Sequence, residues 1–301
     1  MLSEIIALGK RIYDISNPRE RHRFIVFIGR ALLHASSMRK LRDFFEQDAV
    51  RRRIFAKNPF PLEQATRAFF YAGSTFAERM TLIQTHYRLL QEKLQPEWAE
   101  KLGCFQGNYE IWKSADEDIS WNVLLNFEPG QRKEGLLSLD MRLNGQHLYQ
   151  MMFWLNKNKQ GEVALWIGAM QGPNREDAKE IVKETTKRAH RYRTKNLILY
   201  MTMAVARGLG CRHIYAVSNE GYYANNHIRR DRKLKTDFGA FWQEAGGRIT
   251  DDRRFYEIPL VEPRKTIEEV PTRKRAVYRK RFAFQDDVDA QIAANLEKIL
   301  R

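Results

Sequence analysis

GEVALWIGAMQGPNREDAKEIVKETTKRAHRYRTKNLILYMTMAVARGLGCRHIYAVSNEG, residues 161–221, places two apolar runs on either side of a segment that is apolar on nearly every side. Glu162–Met170 reads as a buried strand, His213–Asn219 as a second, and Asn196–Gly208 as a helix enclosed by other structure. Strand, buried helix and strand predict a right-handed parallel crossover. An open α/β sheet leaves a crevice at the carboxyl ends of such strands, so function is expected near Gln171, Arg193 and Asn219.

Upstream of this unit, residues 1–95 carry helical periodicity. Pro18 follows Asn17 at an early helical position, Ser37–Glu46 reads as a further helix, and Thr75 with Glu78 has capping-box spacing. From Asn108 the period changes to two. Trp121–Phe127, Gly135–Leu143 and His147–Leu155 read as strands, and Asn144-Gly145 is a strong hairpin signal. With Glu162–Met170 they predict an antiparallel meander.

Downstream of that meander, Asn174 and Asp177 are expected to cap a helix from Arg175, and Thr194 to cap the buried helix. Asp237–Glu244 reads as a short helix and Phe255–Leu260 as a last strand. Alternating basic and apolar residues fill Arg273–Phe284, before an amphipathic helix over Val288–Leu300. The predicted class is α+β: an N-terminal helical layer, then a mixed, mainly antiparallel sheet with one parallel strand-helix-strand crossover. The expected division is a helical region over 1–95, a mixed α/β domain over 96–265, and a basic C-terminal segment and helix over 266–301.

The 301 residues carry a net charge of +15 and are 43% hydrophobic, enough to bury a core and to favour an anionic partner. The excess sits in Lys183–Lys195, Arg229–Lys235 and Arg264–Arg281. Cys104 and Cys211 form no ligand pattern and read as core thiols in a reducing compartment. The N-terminus interrupts its apolar residues with Glu4 and Lys10, and Leu197–Ala206 is about half a membrane span. The expected location is therefore the cytoplasm, extending to peripheral attachment at an inner-membrane surface.

No HExxH, P-loop, GxGxxG or GxSxG is present, and the seven histidines lack zinc spacing, so no metal is expected. The start of the buried helix is the better candidate. Free backbone N–H groups there, with Arg191, Arg193, Thr194, Lys195 and Asn196, would suit a phosphate or pyrophosphate. At the carboxyl end of the last crossover strand, Asn219, Glu220, Tyr222, Tyr223 and His227 supply acid, base and orienting groups.

Gly172-Pro173-Asn174, Lys195-Asn196-Leu197, Ala216-Val217-Ser218-Asn219, His227, Asp237, Phe241-Trp242 with Gly246-Gly247, and Lys274-Arg275, Tyr278 and Arg281 resemble the VirK/YbjX family. His86-Tyr87 fits the same pattern. The likeness spans residue 40 to the end. It implies a Gram-negative protein linked to virulence, envelope stress and resistance to cationic antimicrobial peptides, with no established reaction.

The order of elements also resembles the Gcn5-related N-acyltransferase fold. That likeness implies an acyl-CoA or acyl-carrier-protein donor, with Trp166, Gly168, Met170 and Gln171 along the acyl arm. Two departures stand out: Arg175–Ala189 intervenes before the buried helix, and Arg191–Lys195 replaces the glycine-rich pyrophosphate loop. The expected function is N-acyl transfer. Two other readings remain open: a nucleic-acid or anionic-membrane binder using Arg229–Lys235 and Arg273–Arg281, and a regulatory partner protein.

Overall fold

The computed structural model describes residues 2–225 and 237–301. His227 and the basic run Arg229–Lys235 lie outside the described residues. Seven helices come first: α1 (Leu2–Ile12), α2 (Pro18–Leu33), α3 (Ala35–Glu46), α4 (Ala49–Lys57), α5 (Phe60–Thr66), α6 (Phe76–Lys93) and α7 (Pro96–Gly103). The start signals operate as read. Asn17 accepts from the Arg19 N–H, and Thr75 and Glu78 complete a capping box. The helical layer runs one element past residue 95, because Pro96 suits a first helical turn.

Next come β1 (Tyr109–Lys113), β2 (Trp121–Asn126), β3 (Leu137–Leu143), β4 (Gln146–Lys157) and β5 (Val163–Gln171). Then follow α8 (Ala178–Arg188), α9 (Thr194–Gly208), β6 (His213–Val217), α10 (Phe238–Glu244), β7 (Arg248–Ile249), β8 (Phe255–Ile258) and α11 (Thr272–Glu297). The strands form one sheet in the order β1-β2-β3-β4-β5-β6-β8-β7. Only β5 and β6 pair in parallel among the described strands. The meander and crossover are as expected, with β1 added at one edge. Asn144 and Gly145 both take positive φ, 50° and 77°, as the tight hairpin between β3 and β4 requires.

Both faces of the sheet are covered. Met151 through Leu155 on β4 are each at most 1% exposed, although successive side chains point to opposite faces. α6 and α9 each pack against β4, and α11 packs on α9 and β1.

Three boundaries correct the sequence reading. α8 starts at Ala178 rather than Arg175, since the Asp177 carboxylate pairs with Arg175 instead of capping the helix. Arg193, not Thr194, is the N-cap of α9; Thr194 is buried in the first turn, with its hydroxyl 2.9 Å from that of Thr185. The basic tail and the final amphipathic segment form one 26-residue helix, α11, because no Gly or Pro interrupts residues 272–297.

Candidate functional site at the open end of the parallel strands

The β5–β6 register ends at Ile167 opposite Ala216. Beyond it β5 stays with β4 as far as Gln171, whereas β6, paired with β8 from Ile214 onward, ends at Val217 opposite Phe255. β5 thus runs about four residues past the end of its parallel pairing with β6. Gly168 is an extra residue between the pairs Met152–Ala169 and Phe153–Ile167, a bulge opposite β4. A Cβ on Gly168 would overlap the Glu134 carbonyl oxygen and crowd Trp154. Glycine is required because the backbone of residue 134 lies against it.

Glu134 lies on the loop before β3. Its Oε1 accepts the Tyr222 hydroxyl at 2.7 Å. Backbone bonds fix both loops: the Phe70 N–H donates to the Lys133 carbonyl, and the Ala72 N–H to the Gly221 carbonyl, each at 2.8 Å. Burial pushes the Glu134 carboxyl above the usual range, although the Tyr222 hydrogen bond and the Lys133 charge oppose the rise. Tyr222 is pushed up by burial first and by the Glu134 carboxylate second. Tyr223 continues the aromatic wall, 5.0 Å from Tyr222 and 6.1 Å from Phe69 between ring centres. The result is a partly exposed, hydrogen-bonded tyrosine–glutamate pair near the carboxyl ends of β5 and β6.

The other residues selected from sequence distribute differently. Asn219 accepts from the Phe238 N–H and donates to Asp237 Oδ1, both at 2.8 Å, so its amide is engaged at the start of α10. Glu220 is exposed and lies 4.0 Å from Arg253. Trp166 packs on Tyr215 and Phe255 in a separate cleft beside the turn at Asn158–Gln160. Met170 is buried, while Gln171 lines a polar cleft with His147 and Gln150.

At the start of α9 the cations already have a carboxylate. Arg193 and Lys195 contact Glu244 of α10 at 2.6 and 3.1 Å. Arg191 sits at φ 64° in the turn after α8, where its carbonyl accepts from Arg281. Asn196 Oδ1 is buried without a hydrogen-bond partner.

A second polar cluster was missed in the sequence. Asp140, wholly buried, accepts from Arg142 Nε at 2.6 Å and faces His147 Nδ1 at 2.8 Å. Glu128 completes the one group of three potential metal ligands among the described residues. Arg142 contacts both carboxylates and supplies the positive charge that a cation would bring. The signal was the lone aspartate inside the apolar run Leu136–Leu143, since a buried charge demands a partner.

Comparison with known proteins places this chain in a family. Residues 16–294 match the family described as "Protein of unknown function (DUF535)". The "Uncharacterized protein YbjX" of Escherichia coli (strain K12) is 34% identical over 75% of this chain and 69% of its own length. An uncharacterized protein of Haemophilus influenzae is 25% identical over 88% of both chains. The "Membrane protein LapB" of Mannheimia haemolytica is 26% identical over 69% of this chain and 85% of its own. No solved structure matches. Among the described residues no helix is long and apolar enough to cross a membrane.

Proposed function

This chain belongs to the DUF535 family, which includes YbjX and matches the VirK/YbjX resemblance of its motifs, and within that family we propose an N-acyltransferase that uses Glu134 and Tyr222 as its acid–base pair. The observation that carries this reading is their 2.7 Å hydrogen bond beside the carboxyl ends of β5 and β6. Glu134 would take the proton from the attacking amine as the nitrogen–acyl bond forms. Tyr222 would protonate the leaving thiolate as the carbon–sulfur bond breaks, and its hydrogen bond to Glu134 offers a path to restore the proton. A carboxyl raised by burial and a phenol that stays protonated suit these roles.

The donor would not lie as in the N-acyltransferases. The Glu134 backbone lies against Gly168, and Glu244 pairs with Arg193 and Lys195, which speaks against an acyl-CoA laid between β5 and β6. A thioester on an acidic carrier protein, presented from outside, agrees better with a net charge of +15. The test is acyl transfer from acyl-carrier protein to a panel of amines. Glu134→Gln and Tyr222→Phe should each lower the rate about 10²-fold or more, the usual scale of acid–base catalysis. Unchanged rates in both variants would remove the reading. Envelope-stress and peptide-resistance roles are proposed on the family likeness alone.

One observation favours attachment to an anionic membrane as a second reading. Leu2, Ile15, Ile25, Leu32 and Leu33 are exposed in the first 33 residues, and residues 1–42 hold nine Lys/Arg against three Asp/Glu. Exposed apolar side chains among cations suit an interfacial helix, and the name of the relative "Membrane protein LapB" agrees with that setting. Binding to phosphatidylglycerol vesicles that weakens with salt would support it; equal binding to neutral vesicles would not.

A further inference from the structure

A cavity of about 320 Å³ opens between α1, α3 and the α4–α5 region, away from the Glu134–Tyr222 pair. Its walls are apolar: Ile5 and Leu8 of α1, Met38 of α3 and Leu62 of α5 are 4–8% exposed, and Phe55 is half-buried. Three arginines, Arg11, Arg39 and Arg42, line it against a single acid, Glu4. Arg42 contacts Glu4 at 2.9 Å. Its Nε is buried and makes no aligned hydrogen bond, although Glu46 lies 3.4 Å away. Arg11 reaches the Ala56 carbonyl at the end of α4 at 2.6 Å.

An apolar chamber this size is at the lower end of the range for small-ligand sites. The apolar part of the lining suits an alkyl chain, and the arginines among it suit a negative head. We propose that this cavity binds a free single-chain anionic amphiphile, with its alkyl chain against Ile5, Leu8, Met38 and Leu62 and its head group held by Arg39 and Arg42. Guanidinium is the group suited to a carboxylate in a partly dry setting, because its planar fork donates two hydrogen bonds at once.

Calorimetry with octanoate, decanoate and dodecanoate below their micelle concentrations tests this on the full chain. Affinity should rise about fourfold per added methylene, and dodecyl maltoside, with the same chain and no charge, should bind at least tenfold more weakly than dodecanoate. Ala7 lies exposed at the lining, so Ala7→Trp should fill the mouth without loss of fold and abolish binding. Arg39→Gln with Arg42→Gln should remove the preference for dodecanoate over the maltoside, while Glu134→Gln leaves both affinities unchanged. Dodecanoate binding that survives Ala7→Trp, or binding confined to phosphatidylglycerol vesicles, would overturn the proposal.

Discussion

The Tyr222 hydroxyl donates to Oε1 of Glu134 at 2.7 Å across 88 positions of sequence, and so ties the loop before β3 to the loop after β6. The bond has a pH signature. Burial raises the Glu134 carboxyl, so its folded-state value lies above the 4.5 of an unperturbed glutamate. A raised group contributes stability that is complete below the unfolded value and is lost as pH climbs through the folded value. Stability measured by urea unfolding should therefore fall as pH rises from about 4.5 toward neutrality, and Glu134→Gln should flatten that part of the profile. The same slope in the variant would mean that Glu134 ionises freely.

Gly168→Ala should be among the most disruptive single methyl additions in the sheet. The new Cβ would overlap the Glu134 carbonyl and approach Trp154, and both neighbours are held in place. Overpacking at a rigid contact costs about 1–3 kcal/mol. Urea unfolding should register that loss, together with lower transferase activity if residues 133–135 move. A variant as stable as the wild type would show that the bulge has room to spare.

Much of this architecture was legible because its signals are local. The 3.6-residue period of the first helices, the Thr75–Glu78 box and the Asn144-Gly145 turn act over a few residues, and the structure uses each as read. Gly168 inside an apolar strand was also a readable mark of close backbone approach. Glu134 was not legible, because nothing in Lys133-Glu134-Gly135 shows that Tyr222 will cover it; that depends on the tertiary placement of two distant loops. Arg193 and Lys195 were read as awaiting an anion for a related reason. Their carboxylate, Glu244, is 49 or more positions away.

His86 predicts acid sensitivity elsewhere. It is wholly buried, its Nδ1 accepts the Leu155 N–H at 3.1 Å, and burial lowers its pKa to about 3. A depressed group contributes stability that is complete above the unfolded value, near 6.5, and is lost as pH falls toward the folded value. His86→Gln retains an acceptor for Leu155 but takes up no proton. Its acid unfolding midpoint should lie below that of the wild type, at some cost in stability at neutral pH from imperfect packing. An unchanged midpoint in a folded variant would place the acid-labile group elsewhere.

Asn219 gives the sharpest separation of structural and chemical roles. Its Oδ1 accepts from the Phe238 N–H, and its Nδ2 donates to Asp237 Oδ1, which also accepts from the Ala240 N–H. One amide thereby orients the residue that caps α10 and satisfies a further free donor of that helix. Asn219→Asp keeps an acceptor for Phe238 but turns a second oxygen toward the Asp237 carboxylate, replacing a hydrogen bond with repulsion. In the wild type, bonds from Ala240 and then Asn219 hold the Asp237 carboxyl below its usual range. The variant should therefore melt at lower temperature at neutral pH and recover on acidification, as protonation of either carboxyl relieves the clash. Asp237→Asn in the same chain should restore much of the loss at neutral pH, because an amide at 237 can donate to the new carboxylate. If transfer activity returns with that second substitution, Asn219 serves the reaction only by holding α10. If stability returns and activity does not, the Asn219 amide itself contacts the substrate.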